Sequence, residues 1–268
     1  MRISNETEYT KSSVCGGNVP KFVNSKIEVV SDNNLVYCEE GVTLKNCTIS
    51  LIGEGNIVYL SKNLHSYMLN LRIYKDSSCF FGEENYMNGI LNLLVQEHQN
   101  IIIGSGGAFS YGIYIMTSDA HLIYDIKSRE RINDSESILI GDHVWLGQFS
   151  TILKGSKIGS GSIIGANSVI TGKKVSSNTA WGGNPGKLIK KEVFWEKDCP
   201  NLYDAERTRM YRKCEKEENI FGRQKRVIDW GKLDVGLKQT NNISEKLEIL
   251  KAIQNNKNVD RFYIQEDI

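Results

Sequence analysis

Between Ile140 and Val175 the chain repeats in sixes: IGDHVW, LGQFST, ILKGSK, IGSGSI, IGANSV, ITGKKV. An aliphatic residue opens every hexad, at Ile140, Leu146, Ile152, Ile158, Ile164 and Ile170, and Gly follows it directly in four of them. An amphipathic helix would repeat its apolar stripe at about 3.6 residues and a half-buried strand at 2, so neither fits. A period of six predicts a parallel β-helix of hexapeptide repeats, each a short strand and a corner. The aliphatic side chain points inward, and small residues suit corners where bulky side chains would clash. Three hexads close one triangular coil, so this stretch makes two.

Before it, residues 1–26 show no clear period and are expected to form an irregular cap. From Ile27 to about Asn100 short apolar runs (LVYC, VTL, CTISLIG, NIVYL, LNLRIY, CFFG) read as strands divided by Gly, Asn and Asp turns. The hexad is degenerate there, as in the atypical terminal coils of solenoids. Clean register returns at Ile103 with IGSGGA, FSYGIY and IMTSDA, and then the 19 residues His121–Leu139 interrupt it. An insertion between coils is expected to project as a loop, the usual place for binding and catalytic groups. After Val175 the GGNPGK turn at 182–187 ends the β-helix, with a last strand expected over Leu188–Phe194. The β-helix domain thus spans 27–195, and 196–268 is a separate, partly helical extension. There Asn242 and Glu245 resemble a capping box, and Ile243, Leu247, Leu250 and Ile253 share one helical face.

Composition narrows the function classes. A net charge of +1 over 268 residues gives no global pull toward nucleic acid or membrane. No apolar run approaches the roughly 20 residues of a membrane span. MRISNETEYT lacks the basic-then-apolar design of a signal peptide. The six cysteines are scattered without a CxxC pair, which predicts reduced thiols and a cytoplasmic protein.

SDAH at 118–121, IGDHVWLG at 140–147, IGANSVIT at 164–171 and GGNPGK at 182–187 together resemble the hexapeptide-repeat acetyltransferases of the galactoside, serine and nodulation-factor group. Within that group the chain is most similar to O-acetyltransferases of bacterial surface polysaccharides, the capsular polysialic acid enzymes of meningococcal type above all. The similarity is specific over about 101–195. It implies a left-handed β-helix, a homotrimer with sites between protomers, acetyl-CoA as donor, and a sugar or polysaccharide acceptor such as polysialic acid. The left hand is implied by the resemblance alone, since crossover rules favour the right.

O-acetylation needs a base for the attacking hydroxyl, and a neutral imidazole suits that task. His121 matches the family's catalytic histidine and stands where a regular coil meets the long loop. Asp119, two residues earlier, either orients the imidazole, meets acceptor hydroxyls, or is a solvated turn carboxylate. Trp145 is a large aromatic at a hexad position that wants a small or polar residue. By resemblance it borders the acetyl and acceptor site, and a trimer-interface role is compatible with that. The resemblance also places Gly147, Ala166 and Thr171 along the pantetheine arm, and Lys187, Lys190 and Lys191 near the CoA phosphates. Acceptor recognition is expected from Tyr124, Lys127, Arg129 and Arg131 on the loop, with FGRQKRVIDWGK at 221–232 a second basic-aromatic candidate. His65, His98 and His143 carry no assigned role. No Ser or Cys sits in a nucleophile setting, so direct transfer in a ternary complex is expected rather than an acyl-enzyme.

Three other readings share the scaffold. A trimeric zinc carbonic anhydrase needs three stacked imidazoles, and no third partner is in register with His121 and His143, so no metal is expected. An N- or O-acetyltransferase of a small sugar or sugar nucleotide would keep donor and base and differ in acceptor. A non-catalytic glycan-binding solenoid would bind no CoA.

Overall fold

The computed structural model describes residues 1–222 and 227–265. The chain is mainly β and winds as a parallel solenoid whose strands stack into three faces. The first face runs through Lys26–Val29, Thr48–Ile52, Leu69–Tyr74, Leu91–Val95, Tyr114–Met116, Thr151–Leu153 and Val169–Ile170. The second runs from Cys15–Gly17 through Asn56–Leu60, Asn100–Ile103 and Ile138–Ile140 to Lys174–Val175. The third comprises Tyr86–Met87, Ala108–Phe109, Trp145–Leu146, Ile163–Ile164 and Ala180–Gly182, closed by the antiparallel Lys187–Lys190.

The hexad explains the core directly. All six opening residues, Ile140 to Ile170, are fully buried, one on each face in turn. The corner serines Ser150, Ser156, Ser162 and Ser168 are fully buried as well. Three of them donate to backbone carbonyls, Ser156 to Leu153 at 2.6 Å, Ser162 to Ser176 of the next coil at 2.8 Å and Ser168 to Ala166 at 3.5 Å. Such partners offset the cost of burying a hydroxyl, whereas the Ser150 Oγ is buried with none.

Earlier coils are wider. Ile27, Ile49, Leu71, Leu93 and Ile115 pair in succession, each 22 positions on, whereas Ile152 pairs with Ile170, 18 positions on. The extra residues lengthen strands on two faces to five or six residues, as in Asn34–Cys38 and Leu69–Tyr74. Parallel pairing begins at Cys15 and Lys21, so the segment expected to be an irregular cap already supplies strands of the first coil. Only Arg2–Ile3 and helix α1 (Glu6–Lys11) lie above it. At the other end the last strand is Lys187–Lys190, shifted toward the GGNPGK turn from the expected Leu188–Phe194, because it folds back on Ala180–Gly182.

Ile103 pairs with Ile140 although the 19-residue insertion lies between them. That insertion forms a hairpin with Tyr124 bridging Arg131, and it leaves the solenoid at the corner between the first and second faces.

Beyond Trp195 the chain forms helix α2 (Ala205–Met210), then α3 (Trp230–Gln239) and α4 (Ile243–Asn255). The Asn242 side chain accepts from the backbone N–H of Ser244 and Glu245, capping α4. Trp230, Leu237, Leu250, Ile253 and Phe262 pack on Ile57, Tyr59, Phe80, Ile102 and Leu139, the outward side of the second face. That face is therefore buried on both sides, which accounts for the unbroken burial along NIVYL and SCFF. Arg223, Lys225 and Arg226, the basic part of the second acceptor candidate, lie outside the described residues.

Lys246 of α4 is fully buried and donates to the carbonyls of Gly55 at 2.8 Å and Asp76 at 2.9 Å. Burial pushes its ammonium down to about 8. Between there and the unfolded value of about 10.5 the unfolded chain holds a proton that the folded chain has lost, so stability rises with pH across that window. Urea midpoints of wild type minus Lys246→Met should therefore climb from pH 8 to pH 10. A flat difference would show that the ammonium carries no penalty there.

Candidate active site

Ala120 adopts φ 67°, a left-handed conformation uncommon for Ala, and it turns His121 away from the coil at the hairpin base. His121 is exposed, and among the described residues its ring has no hydrogen-bond or ion-pair partner. Its backbone is fixed instead. Buried Asn133 donates to the His121 carbonyl at 2.7 Å and to Asp119 Oδ2 at 3.1 Å, while its own oxygen accepts from Ile123 N–H at 2.9 Å. Asp119 Oδ2 also accepts from Lys154 Nζ at 2.6 Å, and that contact lowers the carboxyl below its usual range. Asp119 thus holds the hairpin to the coil below, acting on His121 through Asn133 and the main chain. Arg131 ties the other strand to the coil above, its fork meeting Glu97 at 2.9 and 2.8 Å. That guanidinium pushes Glu97 down to about 2. The result is an imidazole on a fixed backbone, with no hydrogen-bond or ion-pair partner among the described residues.

Trp145 is 42% exposed on the third face, where its strand neighbours are Ala108 and Ile163. Gly147 turns the next corner so tightly stacked on the following coil that a Cβ would lie 2.6 Å from Ala166 N. Lys187 and Lys190 stand exposed on the strand at the foot of this face.

The family pattern described as "Bacterial transferase hexapeptide (six repeats)" matches residues 137–172. A polysialic acid O-acetyltransferase of Neisseria meningitidis is 31% identical over 172 residues, covering 64% of this chain and 79% of that relative. The chain belongs to the hexapeptide-repeat acetyltransferase family. A polysialic acid O-acetyltransferase of Escherichia coli O1:K1 is 42% identical over 102 residues, 38% of this chain, and the match spans only 33% of that relative. The crystal structure of the polySia-specific acetyltransferase NeuO superposes with a TM-score of 0.59 at 27% identity, covering 74% of this chain and 95% of that one.

In this hexapeptide-repeat protein the candidate residues fall into two groups. His121 and Asp119 share the corner between the first and second faces with Thr171, which precedes Gly172, itself bonded to Lys154. Trp145, Gly147 and Ala166 stand on the third face and its far corner, and Lys187 and Lys190 edge the same sheet. Among the hairpin candidates Tyr124, Lys127 and Arg129 are exposed, while Arg131 is committed to Glu97. Sequence reasoning missed Asn133, Lys154 and Trp195, and it left His143 without a role. His143 is 7% exposed and stacks on Trp195 at 3.9 Å. No local pattern signals such contacts, which join residues far apart in the chain. Among the described residues no cluster of His, Cys, Asp or Glu is arranged to hold a metal ion, and no helix is long and apolar enough to cross a membrane.

Proposed function

We propose that the protein moves an acetyl group from acetyl-CoA to a sialic acid hydroxyl of a capsular polymer, by direct transfer with His121 as general base. The observation that carries this reading is His121 of the SDAH motif, held by its backbone with its imidazole unpaired. His121 takes the hydroxyl proton as the oxygen bonds to the thioester carbon, and the tetrahedral oxyanion collapses by expelling the CoA thiolate. The imidazolium then returns its proton to that sulfur. Holding both substrates on one surface supplies much of the rate, and the Trp145 indole N–H is a donor for the oxyanion. Gly147, Ala166 and Thr171 accommodate the pantetheine arm, and Lys187 and Lys190 the phosphates. Tyr124, Lys127 and Arg129 face a polyanionic acceptor.

A complete site joins the His121 corner of one protomer to the Trp145 face of the next, in a homotrimer. Two features support this. The groups lie on different parts of one chain, and both carry exposed apolar side chains: Leu122, Ile123 and Ile126 on the hairpin, Tyr111 and Phe149 beside Trp145. The free thiols fit work in the cytoplasm. The test is CoA release from acetyl-CoA with polysialic acid, free sialic acid or amino sugar nucleotides as acceptor. Release only with the last would replace the acceptor class, and no release with any would leave a non-catalytic solenoid. Co-expressing His121→Ala with Trp145→Ala should restore activity at about a quarter of all sites when trimers assemble at random. Sites confined to one protomer would restore none.

A further inference from the structure

Trp145 has little to hold it in place along its own face. On one side its strand neighbour is the methyl group of Ala108, far smaller than an indole. Its one aromatic contact among the described residues is Trp195, at 6.0 Å between ring centroids and 47° between planes. Trp195, by contrast, is only 8% exposed and is held at three points. It stacks nearly parallel on His143, at 10°; its Nε1–H donates to the His143 carbonyl at 3.0 Å; and its own carbonyl lies 3.0 Å from His143 Nε2. A carbonyl only accepts, so Nε2 carries a proton and the ring is fixed. Burial favours the neutral ring by lowering its affinity for a second proton.

The corner bearing His143 is fixed in turn. Asp142, the preceding residue, receives Arg261 through Nε at 2.9 Å and a terminal nitrogen at 2.8 Å. Arg261 also donates to the carbonyls of Ile253 and Asn256 at the end of α4. A continuous set of contacts therefore runs from the C-terminal arm through Asp142 and His143 to Trp195, and ends on the Trp145 ring.

We propose that Trp195 is a positioning residue: clamped on His143, it sets the orientation of the Trp145 indole toward the acetyl group, and the C-terminal arm steadies the clamp. This rests on the reading of Trp145 as a site residue. Trp195 touches no substrate and acts through Trp145 alone.

The experiment is a double-mutant cycle on the full-length protein, with Trp145→Ala, Trp195→Ala and the pair, read as kcat and KM for CoA release. Trp195→Ala should lower kcat about tenfold with the acetyl-CoA KM changed less than about twofold, and it should cost nothing more when Trp145 is already Ala. Trp195→Phe keeps a ring on His143 and should restore part of the rate; if Trp195→Ala does not fold, it carries the same comparison. A Trp195 effect of equal size in both backgrounds, or none in either, overturns the proposal and leaves Trp145 in the site. A Trp145→Ala variant with full activity overturns the site reading itself. The far-ultraviolet exciton couplet of the indole pair is independent of turnover. It should vanish in Trp145→Phe and in Trp195→Phe and persist in Trp181→Phe and Trp230→Phe. A couplet that survives Trp195→Phe would also overturn the proposal.

Discussion

His121→Ala should lower acetyl transfer to polysialic acid by about 10²–10⁴-fold, the usual contribution of a positioned general base. The residual rate comes from holding donor and acceptor together, which the substitution leaves intact. The effect should therefore fall on kcat, with acetyl-CoA affinity by calorimetry close to that of wild type. Folding should be untouched, because the ring has no partner among the described residues and the hairpin base is held by Asn133, Asp119 and Lys154. Asn133→Ala makes the informative contrast. It removes the donor to the His121 carbonyl, so it should loosen the hairpin and lower turnover with the imidazole still present. A His121→Ala protein that releases CoA as fast as wild type would remove His121 from the chemistry.

Arg261→Ala should cost about 3–5 kcal/mol of stability, the range for breaking a buried ion pair from one side. The Arg261 and Asp142 side chains are 5% and 12% exposed. Besides the two bonds to the carboxylate, the guanidinium donates to Ser105 Oγ at 2.8 Å and to two α4-end carbonyls at 2.9 Å each. Truncation leaves the carboxylate buried without its counter-charge, and it frees the end of the arm. Urea midpoints should fall, and protease should cut the arm between α2 and α3 well before the solenoid unfolds. Pairing Arg261→Met with Asp142→Asn should recover part of the loss, since no unmatched charge then remains. An Arg261→Ala protein with the wild-type midpoint would mean that water reaches Asp142.

The fold was legible where each coil has no slack. In the 18-residue coils the corners are short and alike, so the inward residue recurs at six, and Ile140 to Ile170 announce it. Above Ile103 the added residues go into longer strands on two faces, and the regularity moves to a spacing of 22, visible only once Ile27, Ile49, Leu71 and Leu93 are aligned. Asn242 and the apolar stripe after it are local signals, and a local signal suffices for a helix such as α4. The candidate site was legible in part. His121 stood out through its motif, and Trp145 through its misfit in a hexad. Trp195 and Arg261 lie 52 and 119 positions from the residues they hold, and no periodicity reports a contact of that span.

The assignment of one hexad to each face has a consequence for how such a chain changes length over generations. Losing six residues anywhere between Ile140 and Val175 would not shorten the prism by a third of a turn. It would rotate every later strand onto the next face, and a loss between Gly147 and Ala166 would break the corner that those two residues share. Only three hexads together can be gained or lost without that rotation. An insertion that leaves and re-enters at one corner also keeps every face in place, as the 19-residue hairpin does with Ile103 and Ile140 still paired. Whole turns, longer strands within a coil and insertions at a corner all leave each face in place.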